Sequence, residues 1–564
     1  MLDRNGVHGG AGRVGHEGRA GCCAGRRRAS TQGPRRRLWR RAGALACVGG
    51  LIAGAVTVGA VAAGASRVPA RRSQATGGSL TVLESSVYIG DWPEGFDPAT
   101  NLNALANASL MDAIYGEMFQ VGPHNVTIDD LASGYKLSNG ARTLTIDLRR
   151  GVSFSDGTPF DAGAVLFNWR RDLAGVSPAS PPWPPKTTMT ASGPYAVVLH
   201  FTAPDGAAVN QFQSSNVNWI ASPTALRKLG KKFAFYPVGA GPFIVVSDVT
   251  SNKLVLRRNP RYWQAGHPYL DRLTFLTVAS DEAALEAMRA GSGQAYEFMA
   301  TPQLVSAFRS AGLTVTASPG TVPLDVQLNT LIPPFNNLKA REAMYYATDA
   351  SAIDQKIYQG TCPLTESFTG PGGLFYEPKV PGYRTYDLAK AQALVKSLGG
   401  LTFTMPYGAG LGLGTDVAEA LQAMYQAAGM TVTLKPLADL AALIEEYHTG
   451  QWQAIPAAIG AWDPAAGIGV AFRLASYGPF TGVKSPQVDR WIIAGQSAVN
   501  PAARAKAYAA LAKTLSNQAI TPFICAATSW DIVKKGVQGP GLTSVTAGFG
   551  EGSLVLWQDV SVSG

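Results

Sequence analysis

Hydrophobic residues recur along this chain in short runs that have either a strand-like or a helical spacing. Strand-like runs occupy residues 80–83, 144–148, 195–201, 243–246 and 253–256. Helical spacing occurs at residues 281–290, 339–348, 388–398, 415–428 and 501–517. The two kinds of run alternate over the whole length without a fixed period, so the pattern predicts an α/β protein rather than a solenoid. The Pro-rich stretch 177–185 is predicted to be a loop.

The first 65 residues differ from this pattern. Residues 1–41 are rich in Gly and Arg, and the uncharged apolar stretch 42–65 follows them. A charged region before an apolar one predicts an export signal, and the small residues Ala63 and Ala65 suit cleavage after Ala65. The alternative is an uncleaved membrane anchor, because 24 residues are long enough to cross a bilayer. Residues 66–77 then form a predicted flexible spacer before the folded body.

The net charge of the chain is concentrated in this leader. The 564 residues carry a formal charge of +10, but residues 1–72 contain 14 Arg against two acids, which leaves a balance of −2 for the rest. A body without a basic field is not expected to bind nucleic acid. Beyond the predicted cleavage point only Cys362 and Cys525 remain. Export permits a disulfide between them, but two separate buried thiols are equally compatible with the sequence.

Motifs for catalysis or for cofactors are missing. His124, His200, His267 and His448 are far apart in the sequence, and there is no HExxH pair and no Cys/His cluster with zinc spacing. The chain also lacks a phosphate-binding GxxxxGK[ST] loop and a GxSxG nucleophile elbow. We therefore expect no metal, no cofactor and no enzymatic activity. Scattered Ser, His and Asp side chains could still assemble into a hydrolase site, which stays the less favoured alternative.

Several longer blocks resemble one protein family. LRRGVSFSDGTPF lies at 148–160 and is followed by residues 162–169 of the same block, GAGPF lies at 239–243, LRRNPRYW at 256–263 and PFNNLKAREAMYYATD at 334–349. These blocks are similar to motifs of the extracellular solute-binding proteins of family 5, the oligopeptide, dipeptide and nickel receptors of ABC importers. The resemblance covers about residues 78–560. Most of these motif residues are predicted to mark turns and packed positions, with Arg341 and Glu342 on a solvated helix face.

The resemblance implies an α/β periplasmic-binding-protein-like fold of type II, with two lobes and a hinge of crossing strands. We expect lobe I at 78–320, with an extra subdomain at about 103–238, lobe II at 321–520, and a return to lobe I at 521–564. The implied function is capture of a peptide-like or other small solute by lobe closure and delivery to ABC permease and ATPase subunits. We expect an exported monomer at the cell envelope. A sensor or chaperone-like receptor on the same fold is the alternative.

The resemblance also places three segments in the cleft between the lobes, at 325–330, 405–408 and 460–464. Peptide receptors of the family carry an Asp three residues after a loop Trp, where it pairs with the α-ammonium group of the peptide. Here Asp463 and Pro464 follow Trp462 directly, and the 405–408 segment has no Arg for a ligand carboxylate. We therefore expect a longer or modified peptide, or a weakly charged solute, rather than a dipeptide. A nickel chelate held by few protein ligands is a further alternative.

The candidate ligand contacts combine aromatic walls with polar groups. They are Trp462, Asp463, Tyr407, Asn329, Tyr477 and Trp92. For each aromatic residue, packing in a core is the competing interpretation, because buried aromatics are common in a chain with 11 Trp and 19 Tyr.

Overall fold

The computed structural model of the protein describes most of the chain beyond the leader. The described residues are 76–85, 92–101, 107–122, 125–174, 181, 183–409, 414–438, 440–458, 460–466, 469–542, 545–547 and 552–563. They form one compact unit. The predictions for the leader, most of the 66–77 spacer and part of the 177–185 loop lie outside the described residues.

Strands and helices alternate along this unit. The strands are β1 Ser79–Ser85, β2 Phe119–Gly122, β3 Val126–Asp129, β4 Ala132–Ser138, β5 Thr143–Leu148, β6 Thr188–Ala191, β7 Ala196–His200, β8 Phe243–Val249, β9 Lys253–Arg258, β10 Arg272–Val278, β11 Ala295–Met299, β12 Thr314–Ser318, β13 Leu324–Leu328, β14 Thr402–Gly408, β15 Thr431–Leu437, β16 Ala454–Ala457, β17 Phe523–Cys525, β18 Ser529–Val533, β19 Val537–Gln538, β20 Val545–Ala547, β21 Gly552–Leu554 and β22 Ser561–Val562. The helices are α1 Ala108–Tyr115, α2 Ala162–Ala174, α3 Pro223–Leu229, α4 Asp281–Ala290, α5 Val305–Ser310, α6 Leu338–Ala347, α7 Ala350–Lys356, α8 Leu388–Ser397, α9 Gly414–Ala427, α10 Leu440–Thr449, α11 Val470–Leu474, α12 Pro486–Ser497 and α13 Pro501–Asn517. Every strand and helix predicted above is confirmed, with ends that differ by no more than three residues.

The largest sheet has seven strands in the order β12-β18-β11-β1-β10-β9-β8. The central strand β1 runs parallel to both of its neighbours, β10 and β11, and the outer pairs are antiparallel. Strand β18 comes from near the C-terminus, so this sheet joins the first strand of the folded unit to one of its last strands. Val82, Leu273 and Phe275 from the sheet pack with Trp557 from the C-terminal segment in one core.

A second core forms around a different part of the chain. Strand β13 pairs with β16 on one side and β17 on the other, all antiparallel, while β14 and β15 form a parallel pair. Helices α6, α8 and α9 cover these strands and share their core. The strands of this second region lie between residues 324 and 525, whereas the first sheet combines strands from before and after them. The exact lobe boundaries given above stay predictions.

A four-stranded antiparallel sheet, β4-β5-β7-β6, makes a third body with its own core. The motif turn at Asp156 leads from this sheet into α2. Asp156 Oδ1 accepts hydrogen bonds from the amide and hydroxyl of Thr158, and Gly157 adopts a φ of 87° that side-chain-bearing residues rarely reach. The prediction of a tight turn at this motif is confirmed.

One surface prediction is wrong. Arg341 was expected on a solvated face, but its guanidinium donates to the carbonyls of Gln518, Ala519 and Phe335. Its neighbour Glu342 forms an ion pair with Arg384 at 2.7 Å. Helical spacing predicted which face of α6 carries these residues. It could not predict that the residues that follow α13 pack against this face.

The two late cysteines form a disulfide. Cys362 and Cys525 are bonded across 163 residues of sequence, with a Cα–Cα distance of 5.3 Å. Of the two alternatives that the sequence left open, the structure therefore has the bridge. It ties β17 to the loop that follows α7.

Within the described part of the chain, no helix is both long and apolar enough to cross a membrane.

Candidate functional site

The loop at 460–466 lies where the separate bodies of the fold meet. Ala461 and Ala466 belong to the core of the seven-stranded sheet, although the loop follows β16 of the three-stranded sheet. Between them, the Trp462 side chain is fully buried and packs against Val121 and Leu374. Strand β2, which contains Val121, is distant in sequence from this loop. The segment predicted to face the cleft therefore contacts a strand that is remote from it in the sequence.

Trp462 keeps one polar atom unsatisfied. Its Nε1 is buried and has no hydrogen-bond partner among the described residues. Its backbone carbonyl accepts a hydrogen bond of 2.7 Å from the amide of Leu374. An orphaned indole N–H in a buried position is costly unless another group accepts from it. The indole nitrogens of Trp183, Trp219 and Trp452 are buried without a partner in the same way, so a ligand role for Trp462 stays a prediction.

Asp463 is fully buried and its carboxylate accepts three hydrogen bonds from protein donors. Oδ1 accepts 2.6 Å from Arg504 Nη2 and 2.9 Å from the Ala465 amide, and Oδ2 accepts 2.6 Å from Asn210 Nδ2. Although burial acts in the opposite direction, the Asp463 charge holds the pKa of Arg504 above its ordinary value. A carboxylate with a charged partner and two further donors has little capacity left for an ammonium group.

The segment predicted at 325–330 contains the end of β13, and its side chains Gln327 and Asn329 make hydrogen bonds inside the protein. Asn329 is buried, and its Nδ2 donates to the carbonyls of Gly450 and Trp452. Its Oδ1 accepts from the amide of Leu331. Gln327 donates to the carbonyls of Arg473 and Phe480. These bonds hold the end of β13 in place, and the role of Asn329 as a ligand contact stays a prediction.

The three remaining candidates occupy very different environments. Tyr407 is 7% exposed and packs in the core of β14 and its covering helices. Trp92 is fully buried in the core of the seven-stranded sheet, and its Nε1 donates 3.0 Å to Asp248. Tyr477 is 60% exposed in the loop between α11 and α12. Trp462 and Asp463 are neighbours in the sequence. A ligand role stays a prediction for all six candidates.

A buried acidic pair lies on the neighbouring parallel strands β1 and β11. Val82 of β1 lies opposite Ala295 of β11, and the same register places Glu84 beside Glu297. Both side chains are buried, and the carboxylate oxygens of Glu84 have no hydrogen-bond partner among the described residues. Burial raises the pKa of Glu84 well above its ordinary value. Burial and the nearby charges of Glu84 and Asp531 do the same to the pKa of Glu297.

Sequence reasoning missed this pair and both side chains that hold Asp463. Glu84 directly follows the predicted strand 80–83, and an acid at the carboxyl end of a buried parallel strand is a recognisable signal. Asn210 and Arg504 are 253 and 41 residues away from Asp463 along the chain. No local pattern connects residues at such separations. Among the described residues, no group of three or more His, Cys, Asp or Glu is placed to hold a metal ion.

Comparison with known proteins identifies the family. The sequence profile described as "Bacterial extracellular solute-binding proteins, family 5 Middle" matches residues 127–476. The chain belongs to this family. Members of the family are substrate-binding receptors found outside the cytoplasm.

Curated relatives and solved structures agree with this assignment. The glutathione-binding protein GsiB of Escherichia coli K12 is 28% identical over 327 residues, which cover 58% of this chain and 60% of that protein. The oligopeptide-binding protein AppA of Bacillus subtilis, solved with a nonapeptide, superposes with a TM-score of 0.70 at 16% identity, covering 87% of this chain and all of that one. The ABC transporter-associated binding protein DppA of Helicobacter pylori, solved with the peptide STSA, gives 0.69 at 19% identity over 87% and 99% of the two chains.

These neighbours are type II periplasmic binding proteins, so the predicted fold class of two lobes with crossing strands is confirmed. The match to the curated relatives spans only about 60% of their length. The ligands of these relatives are therefore not carried over to this chain as findings.

Proposed function

We propose that this protein is an extracytoplasmic receptor that captures a small solute between its lobes and delivers it to an ABC import permease. The observation that carries the proposal is the family match over residues 127–476. Binding and lobe closure would complete the task of the receptor, and no chemical step is needed. The Cys362–Cys525 disulfide supports a location outside the cytoplasm, because such bonds persist in oxidising compartments.

The contacts of Asp463 narrow the proposed ligand. A free peptide amine needs an accessible carboxylate, and the Asp463 carboxylate is buried with Arg504 and Asn210 bound to it. Adding a second cation there would displace a partner from a desolvated site, at a cost of several kcal/mol. The ligand class that fits is a longer or modified peptide, or a weakly charged solute, held by backbone and aromatic contacts.

The organisation of the whole chain is part of the same proposal. Residues 1–65 would direct export, with cleavage after Ala65 and an uncleaved anchor as the alternative. The lobes would be 78–320 and 321–520, with 521–564 returning to the first, and the receptor would act as a monomer. N-terminal sequencing of exported protein tests the leader, and a mature chain that begins before Ala42 would contradict it.

Native mass spectrometry of the protein purified from its host tests the proposed function. We expect a co-purified solute, which is then identified and added back to ligand-free protein. Bound solute should stabilise the folded state by about 2.7 kcal/mol at 100 times Kd, so the melting temperature should rise with concentration. Small-angle scattering should show compaction. A solute that is consumed would show that the protein is a hydrolase instead.

A further inference from the structure

A turn of the four-stranded-sheet body reaches across to helices α12 and α13. The turn comprises residues 205–211, and its Ala208 and Val209 are anchored in the core of that sheet. The amides of Gly206 and Ala207 both donate to the carbonyl of Gln496 in α12, at 2.9 and 3.2 Å. Helices α12 and α13 pack in a separate core with α11. The turn is therefore bonded to a body to which it does not belong.

Side chains reinforce this contact at two points. Gln496 Nε2 donates 3.2 Å to Asp205 Oδ2, and Gln211 Nε2 donates to the same carboxylate from within the turn. At the second point, Asn210 Nδ2 donates 2.6 Å to Asp463, which is itself held by Arg504 of α13. Asp205 and Asp463 are both fully buried.

The backbone of the turn lies so close to the end of α12 that residue 206 has no room for a side chain. A Cβ atom built on Gly206 would lie 2.3 Å from the carbonyl carbon and oxygen of Ala498, much closer than any real contact. Gly206 does not have a positive φ, so alanine would not strain the turn itself. Glycine is required at this position only because of the neighbouring body.

We propose that the 205–211 turn, Gln496 and the Asp463–Arg504 pair form a latch that holds the two sides of the cleft together without ligand. None of its bonds involves a solute, so the closed arrangement has its own stabilisation. The ligand-free receptor would then populate both an open and a closed state. The ligand would shift this equilibrium toward the closed state instead of creating it. This inference rests on the proposed function in one respect, namely that the receptor captures its solute by closing its lobes.

Two single variants open the latch by different routes. Asn210→Asp replaces the donor to Asp463 with a second carboxylate, which repels it at neutral pH. Gly206→Ala introduces a clash that exists only while the turn touches α12. Asn252→Asp is the matched control, because it makes the same change at an exposed turn where the bonds of Asn252 to Val249 and Thr277 are made by its backbone.

The measurement uses ligand-free full chain and needs no knowledge of the solute. We expect wild type and Asn252→Asp to scatter as compact particles, and Asn210→Asp and Gly206→Ala to show a larger radius of gyration with unchanged circular dichroism. Amide hydrogen exchange of Gly206 and Ala207 should be slow in wild type and at least tenfold faster in both latch variants.

Two results would overturn the latch. One is a ligand-free wild type that already scatters as an open particle. The other is a pair of folded latch variants whose scattering and amide exchange equal those of wild type. Neither result bears on whether the protein binds a solute, and failure to find a solute would leave the behaviour of the ligand-free chain unchanged.

Discussion

Arg473 and Asp325 form an ion pair with both side chains withdrawn from water. Arg473 Nη1 lies 2.8 Å from each carboxylate oxygen of Asp325, and the two side chains are 2% and 0% exposed. Thr521 donates a further hydrogen bond of 3.0 Å to Asp325. The pair links β13, the first strand of the second core, to α11, so it fastens the strand after the predicted lobe boundary to a helix near the candidate site.

Removing the cation from this pair is expected to be costly. Arg473→Met leaves Asp325 buried without its cationic partner, and we expect a loss of about 3–5 kcal/mol in the free energy of unfolding. Denaturant unfolding measures it. Arg289→Met is the control, because the Arg289–Glu286 pair is solvent-exposed and should contribute no more than about 1 kcal/mol. A loss in Arg473→Met as small as in the control would show that the pair is unimportant.

The Cys362–Cys525 disulfide closes a long segment of chain and so restricts the unfolded state. The double variant Cys362→Ser, Cys525→Ser should lower the free energy of unfolding by about 2–5 kcal/mol. Reducing agent should produce a comparable loss in wild type and none in the double variant. If reduction left wild-type stability unchanged, the bridge would not form in the purified protein.

The sequence predicted the elements of the fold better than their contacts. Strand and helix positions follow from local periodicity, and the motif turn at Asp156 follows from Gly and Pro chemistry. The hydrogen bonds of Arg341 do not, because they depend on carbonyls at residues 518 and 519 that arrive from the far end of the chain. For the same reason the sequence suggested Trp462 and Asp463 but gave no sign of Asn210 or Arg504, whose proximity is created only by folding.

The buried acid Glu84 predicts an unusual pH dependence of stability. Its pKa is raised in the folded state, so the folded protein holds a proton that the unfolded chain releases above its ordinary pKa of about 4.5. Its contribution to stability is therefore full at low pH and is lost as the pH rises, by about 1.4 kcal/mol for each unit of pKa shift. Glu84→Gln stays neutral, so we expect a higher melting temperature than wild type at pH 7 and a difference that shrinks toward pH 4.5. Exposed Glu445→Gln is the control, and an equal shift in both variants would contradict the prediction.

Trp462→Ala should weaken both packing and capture. The side chain fills the contact between Val121 and Leu374, so its loss should destabilise the fold by about 3–5 kcal/mol. If the indole also contacts the solute, affinity should fall by up to a few kcal/mol. Trp462→Phe separates the two effects, because it keeps most of the packing and removes the unpartnered Nε1. Unchanged affinity in a folded Trp462→Phe variant would argue that the N–H does not reach the ligand.

The last prediction concerns Asp463, which should position the loop without anchoring an amine. Asp463→Asn weakens the bond to Arg504 and leaves that guanidinium buried, so stability should fall, whereas exposed Asp416→Asn should have little effect. Because Arg504 and Asn210 already occupy the carboxylate, the variant should change affinity for free-amine and N-acetylated forms of the ligand by the same factor. Calorimetric titration of both forms measures this. A selective loss for the free amine would mean that Asp463 exchanges its protein partners for the ligand, and a peptide with a free amino terminus would then be the cargo.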